Sequence, residues 1–253
     1  MKLEATTIQP ELAIKRPKAT SSQIFCRMGS ASTWLLMLYS LVTMVILFTI
    51  GSQPASAQES FDMLRQNRLT GLLRLDVLSL LVMPLYYVLF LSLYRALRES
   101  SEVLATLATL LVFAGLTLFL ATPSAFSWLS LSDRFAAAGD PQAKAQLLAA
   151  GEAILASDMW HGSGALVGGM LLQTGTLLVS IAMLGSKGFG RLTAWVGIVM
   201  HGLDLLHIPV EMLFPGYGNP IMMVAGPLYL IWFPLVARDL GRLARGDTTV
   251  QPK

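Results

Sequence analysis

The chain carries little charge for its length, since only 13% of its 253 residues are Asp, Glu, Lys or Arg. Water-soluble domains carry about 25% charged residues, so this composition argues against a soluble domain. The formal net charge is only +3, and the basic residues cluster beside apolar segments, so nothing here indicates a nucleic-acid partner. A chain that is 54% hydrophobic is instead predicted to be a polytopic membrane protein whose partner is the lipid bilayer.

Cysteine is also scarce, and several catalytic signatures are missing. Cys26 is the single cysteine, which excludes a disulfide bond within the chain. A cysteine beside a membrane helix can accept a lipid, but we expect an inert thiol. The sequence contains no glycine-rich phosphate loop, no His-Glu-x-x-His motif and no Gly-x-Ser-x-Gly motif. The usual sequence markers of P-loop NTPases, zinc metalloproteases and α/β-hydrolases are therefore absent.

Long apolar runs fill most of the chain, and each can cross a hydrocarbon core about 30 Å thick. They predict an all-α fold, a bundle of six transmembrane helices within one domain at residues 33–240. The predicted spans are residues 34–50, 69–97, 103–121, 159–184, 192–214 and 221–237. Gly164 and Gly168 in the fourth span form a small-xxx-small pair, which favours close helix contact.

The segments outside the spans are predicted to be tails and one longer loop. Residues 1–32 are polar and basic and predict a flexible cytoplasmic tail, and residues 241–253 predict a short one. Residues 123–158 predict an outer-side connection. Within it, Asp140-Pro141 resembles a helix N-cap followed by a first-turn proline, which predicts a short amphipathic helix on the surface.

The first apolar run has two interpretations. Ala55-Ser56-Ala57 follows it and fits the small-x-small pattern of signal-peptidase sites, so cleavage would leave five spans and a mature chain that begins at Gln58. Against cleavage, the polar region before the run is long and the run exceeds the usual apolar core of a signal peptide. We therefore expect an uncleaved anchor and keep the cleaved signal as the alternative.

The charges of the loops predict the orientation. Lys and Arg concentrate in both tails and in the connections at residues 95–102 and 187–191. The positive-inside rule therefore places both termini in the cytoplasm, and the compartment that we expect is a bacterial plasma (inner) membrane.

Ionisable side chains at membrane depth are the best indication of a function. His201, Asp204, His207 and Glu211 fall within about a third of the circumference of the fifth helix. Such groups are costly in lipid and usually face the interior of a bundle. In the predicted orientation, groups on the second and fourth helices lie in the same outer half. The candidate ligand-binding residues are Asp76, His161, His201, Asp204, His207 and Glu211.

These residues leave three functions open. The first is binding or transport of a small ligand or ion through an outward-facing polar pocket on helices 2, 4 and 5. The second is an intramembrane metal-dependent hydrolase, in which His207, Glu211 and Asp204 hold a divalent metal such as zinc that activates water. The third is a non-catalytic assembly or sensor protein whose polar residues only tie helices together. The sequence does not predict a catalytic residue or an oligomeric state.

Several segments resemble a known family. They are Arg68-Leu-Thr-Gly-Leu-Leu-Arg-Leu-Asp76, Met83-Pro-Leu-Tyr-Tyr, Leu93-Tyr-Arg-Ala-Leu97, Leu184-Gly-Ser-Lys-Gly-Phe-Gly-Arg-Leu-Thr-Ala-Trp-Val-Gly-Ile198 and the region from Trp232 to Arg238. Together they resemble a bacterial multi-pass membrane family catalogued as domain of unknown function 4386. The resemblance covers roughly residues 60–245 and implies a polytopic helical membrane protein of about this size. It implies no activity, and His201, Asp204 and His207 are not part of the family pattern.

Overall fold

The computed structural model describes residues 20–51, 53–75, 77–122, 125–158, 162–214 and 216–247. Within these ranges the chain forms helices joined by short turns, and they contain no strand. The prediction of an all-α fold is confirmed. In chain order the helices are α1 (Ser21–Ile50), α2 (Ala57–Gln66), α3 (Arg68–Arg74), α4 (Val77–Val82), α5 (Pro84–Leu97), α6 (Glu102–Leu120), α7 (Ala125–Ala137), α8 (Pro141–Leu155), α9 (Ser163–Leu184), α10 (Arg191–Leu213) and α11 (Gly218–Arg245).

Among the described residues, six helical segments are long and apolar enough to cross a membrane, as predicted. They are Ser21–Ile50, Val77–Leu97, Glu102–Leu120, Ser163–Leu184, Arg191–Leu213 and Pro220–Arg245. Large apolar side chains point away from the protein along these segments, and Phe48 and Val103 are 78% and 82% exposed. Apolar surface of this extent requires a lipid or protein partner, so the structure agrees with a multi-pass membrane protein.

The six membrane helices form a closed ring in the order of the sequence. α1 packs against α5, α5 against α6, α6 against α9, α9 against α10, α10 against α11, and α11 returns to α1. α6 and α9 meet backbone to backbone: a Cβ added to Gly115 would lie 2.5 Å from the carbonyl oxygen of Gly168. Glycine is required at such a contact because the two backbones touch directly, and this is the close packing that the glycines of the fourth span predict.

The first helix begins earlier than expected. α1 starts at Ser21 because of a capping box: the Thr20 side chain accepts a hydrogen bond from the Gln23 backbone N–H, and Gln23 Oε1 accepts one from the Thr20 backbone N–H. Residues 21–32 were predicted to belong to a flexible tail but are helical, and Cys26 and Gly29 are buried in the bundle. Small side chains allow this polar-looking stretch to pack against α5 and α11. Residues 1–19 lie outside the described part of the chain.

The second predicted span, residues 69–97, is divided. α3 and α4 are short, and α5 begins at Pro84, which occupies the first turn of that helix. Proline has no N–H to donate and suits a helix start, so a break before Pro84 costs little. The apolar segment Val77–Leu97 still has 21 residues, enough to cross a membrane.

At the far end of the bundle from Ser21, α2, α7 and α8 pack into a small helical cap. Phe61, Trp128 and Phe135 form its buried centre. The predicted N-cap is confirmed, because the Asp140 side chain accepts from the Ala143 amide at 3.0 Å. The leucines of α8 pack against this centre, so protein helices cover its apolar face. Ala57, the last residue of the signal-peptidase pattern, is fully buried here.

Candidate functional site

Four polar side chains meet inside the ring of membrane helices, and we call them the central polar cluster: Gln173, His201, Asp204 and Tyr229. They come from α9, α10 and α11. His201 and Asp204 are three residues apart on α10, so both lie on its inner face, and they are only 3% and 4% exposed. Asp204 lies thirteen residues beyond Arg191, the first residue of α10, or about 20 Å along the helix axis, close to mid-membrane.

Gln173 is the centre of the hydrogen-bond network. Its Nε2 donates to Asp204 Oδ2 at 3.0 Å and to the Tyr229 hydroxyl oxygen at 3.2 Å. A carboxylate oxygen without a proton only accepts, so these contacts fix the orientation of the Gln173 amide. Gln173 Oε1 therefore faces His201 Nδ1, 2.7 Å away.

This contact determines the tautomer of His201. An amide oxygen only accepts hydrogen bonds, so the proton of the 2.7 Å contact belongs to His201 Nδ1. In the neutral imidazole, Nε2 then carries a lone pair and acts as an acceptor. His201 Nε2 is buried and has no hydrogen-bond partner among the described residues.

Asp204 has one saturated and one free oxygen. Oδ2 accepts from the Tyr229 hydroxyl and from Gln173 Nε2. Oδ1 is buried and, within the described ranges, has no hydrogen-bond partner. An ionised carboxylate with a bare oxygen in apolar surroundings costs several kcal/mol, so the site needs a proton, a water molecule or a cation at Oδ1.

Aromatic rings surround the cluster. The His201 ring lies edge-on to Trp232, with 5.0 Å between centroids, and to Tyr229, at 5.8 Å. Phe233 packs against Tyr229 at 5.7 Å and against Tyr86 of the second span at 6.4 Å. These rings surround the polar atoms of the cluster with apolar surface.

The Glu211 carboxylate is held by the turn before α11. Its Oε1 accepts from the Gly216 amide and its Oε2 from the Gly218 amide, both at 2.9 Å. The carboxylate therefore caps the turn that leads into α11. A Cβ added to Gly218 would lie 2.6 Å from Glu211 Oε2 and 3.0 Å from His207 Cδ2, so glycine is needed for this approach.

The structure brings only two of the six predicted site residues into the central polar cluster. These are His201 and Asp204, while His207 is half-buried one turn further along α10. Asp76 and His161 lie outside the described residues. The predicted pocket on helices 2, 4 and 5 is thus represented by a cluster on the fourth, fifth and sixth spans.

The predicted metal site gains no support. Among the residues that the structure describes, no three His, Cys, Asp or Glu side chains are placed to hold a metal ion together. Of the predicted ligands His207, Glu211 and Asp204, Glu211 is bound to backbone amides and Asp204 to Gln173 and Tyr229.

Sequence reasoning missed two members of the cluster. Tyr229 was not among the candidate residues, although its hydroxyl donates to Asp204. Gln173 was overlooked because only ionisable groups were weighed. The available signal was an amide in the middle of an apolar span, where a polar side chain needs partners on other helices.

Comparison with known proteins adds no relative: no family model, no curated protein and no solved structure matches this chain. The resemblance to domain of unknown function 4386 therefore stays a prediction.

Proposed function

We propose that this membrane protein binds a small cation, an alkali ion or a protonated amine, at the central polar cluster. The observation that carries the proposal is a pair of buried atoms without hydrogen-bond partners among the described residues, Asp204 Oδ1 and His201 Nε2. Buried polar atoms in native proteins are nearly always satisfied, so two of them in one cluster indicate a bound species.

The chemistry of the two atoms favours a cation over an anion. A carboxylate oxygen only accepts, and His201 Nε2 accepts when Nδ1 carries the proton. A ligand that satisfies both must donate N–H or O–H groups or present a positive charge.

The location of the cluster supports a role in transport. Ionisable residues near mid-membrane usually line substrate or ion pathways. From Asp204, the same face of α10 continues through the half-buried His207 to Glu211 at the end that bears the cap. Under the predicted topology, with both termini in the cytoplasm, this route leads from the cluster to the outer surface.

The binding test is a thermal-unfolding screen of the full chain in detergent. Sodium, potassium, lithium and methylammonium chloride are compared at equal ionic strength. A ligand at a hundred times its Kd stabilises the folded state by about 2.7 kcal/mol. We expect one of these cations to raise Tm by several degrees in wild type, and the increase to disappear in Asp204→Asn.

Glu102→Gln serves as the matched control, because it also removes one carboxylate but lies exposed in the first turn of α6. It should keep the full cation effect. If no cation in the panel raises Tm of the wild type, or if Asp204→Asn responds as the wild type does, the proposed function is wrong.

A further inference from the structure

A second site lies at the opposite end of the bundle from the helical cap. A cleft of about 380 Å³ opens between α1 and α11, where α1 begins and α11 ends. Its lining includes Arg27, Ser30, Ala31, Trp34, Gly241 and Arg245.

The helical register explains the cleft. Arg27, Ala31 and Trp34 are spaced i, i+4 and i+7, so they share one face of α1, while Gly241 and Arg245 share one face of α11. Small residues leave the floor of the cleft open, since a Cβ on Gly241 would first meet Ser30 Oγ at 3.4 Å. The Ser30 hydroxyl donates to the Ala237 carbonyl at 2.8 Å, which holds the two helices together beneath the cleft.

The charge of the cleft suits a phosphate. It presents two guanidinium groups, and guanidinium forks match the oxygens of a phosphate with paired hydrogen bonds. Arg245 also lies 3.7 Å from Asp247, but both side chains are more than half exposed, at 66% and 58%. An exposed pair of this kind contributes little and leaves Arg245 able to turn toward an anion.

The cleft opens onto an apolar surface. Trp34 is 51% exposed and lies about 10 Å further along α1 than Arg27. The exposed stripe continues with Leu38 and Val45, at 56% and 60%. A ligand that fits this arrangement has an anionic head and a long apolar tail, and tryptophan beside arginine is typical of membrane interfaces.

We propose that the cleft binds the headgroup of an anionic phospholipid. The phosphate lies between Arg27 and Arg245, and an acyl chain follows Trp34 and Leu38 along α1. Basic pockets between membrane helices on the cytoplasmic side recognise such lipids, and the predicted orientation places this end in the cytoplasmic leaflet. The site shares no residue with the central polar cluster, so the two proposals are independent.

The experiment is native mass spectrometry of the full chain in detergent with equal amounts of phosphatidylglycerol and phosphatidylcholine of identical acyl chains. Wild type should retain one phosphatidylglycerol in preference to phosphatidylcholine. In Arg27→Gln/Arg245→Gln that preference should fall about tenfold, because the two positive charges that favour a net anionic headgroup over zwitterionic phosphocholine are lost. Ala31→Leu, which fills the exposed floor of the cleft without changing charge, should produce a similar loss.

Arg98→Gln/Arg191→Gln is the control, since it removes two exposed arginines at the same end of the bundle but on other helices. It should keep the wild-type preference. Three results would overturn the proposal: equal retention of the two lipids by wild type, an equal loss in the cleft and control pairs, or displacement of phosphatidylglycerol by millimolar inorganic phosphate. The last result would describe a general anion site instead of a lipid site.

Discussion

Tyr229 and Asp204 meet at a single oxygen. The Tyr229 hydroxyl on α11 donates to Asp204 Oδ2 on α10, and the same atom accepts from Gln173 Nε2 at 3.0 Å. The other oxygen, Oδ1, is buried without a partner among the described residues. The carboxylate is therefore held on one side by the protein and open on the other, which is the geometry of a binding group held in place before its ligand arrives.

Removing the Tyr229 hydroxyl tests the hydrogen bonds that hold Asp204 Oδ2. Tyr229→Phe deprives Asp204 Oδ2 of one donor and Gln173 Nε2 of one acceptor, so we expect the free energy of unfolding to fall by about 1–3 kcal/mol. Tyr94→Phe removes the same atom from a tyrosine on α5 for which no side-chain hydrogen bond is described, and it should cost less. Denaturation of both variants in detergent compares them, and equal stabilities would argue against the network.

We expect His201 to contribute more than His207 to stability and to cation binding. His201→Leu leaves Gln173 Oε1 without its donor and removes the free Nε2, so it should lower stability by about 1–3 kcal/mol and abolish stabilisation by the cation. His207→Leu makes the same change about 1.7 turns further along α10, outside the cluster. Thermal unfolding with and without the cation separates the two. A larger effect on cation binding from His207→Leu would move the site outward along α10.

Glu211 is predicted to stabilise a turn and not to bind a ligand. Glu211→Ala leaves the amides of Gly216 and Gly218 without their acceptor, and losing a cap of this kind costs about 1 kcal/mol. Hydrogen exchange at these two amides should become several-fold faster, while the cation still raises Tm. Lost cation binding with unchanged exchange would instead make Glu211 a ligand.

The orientation can be measured with single cysteines. Cys26 is only 2% exposed and should not react with a maleimide, so the native chain should show no labelling of its own. Lys187→Cys and Lys144→Cys place exposed thiols at opposite ends of the bundle. In intact cells, an impermeant maleimide should label position 144 and spare position 187. The reverse pattern would place both termini outside.

Most of the fold could be predicted from the sequence, because long apolar runs in a chain with few charges are typical of membrane helices. The start of α1 was harder to place. Residues 21–32 are rich in Ser and include Gln23 and Arg27, so they read as a tail, yet Cys26, Gly29 and Ser32 are buried against other helices. Only the tertiary packing of small residues shows that this stretch belongs to the bundle.

The site was only partly predictable for a similar reason. The spacing of His201 and Asp204 placed them on one face of α10, and that follows from helix geometry alone. It could not identify Gln173 and Tyr229 as their partners, because these lie on two other helices. Gln173 is 28 residues from His201 along the chain, and Tyr229 is 25 residues from Asp204. The same spacing also suggested His207 and Glu211 as metal ligands, whereas the turn before α11 binds the Glu211 carboxylate.

The most direct test of the account is equilibrium binding of the cation that the thermal screen selects, measured with radiolabelled ion on purified full chain. Wild type, Asp204→Asn and Glu102→Gln are compared at one ionic strength. We predict about one saturable cation per chain in wild type and Glu102→Gln, and less than about a tenth of that in Asp204→Asn, because the free Oδ1 is the essential acceptor. Equal binding in all three proteins would contradict the assignment of the site to Asp204.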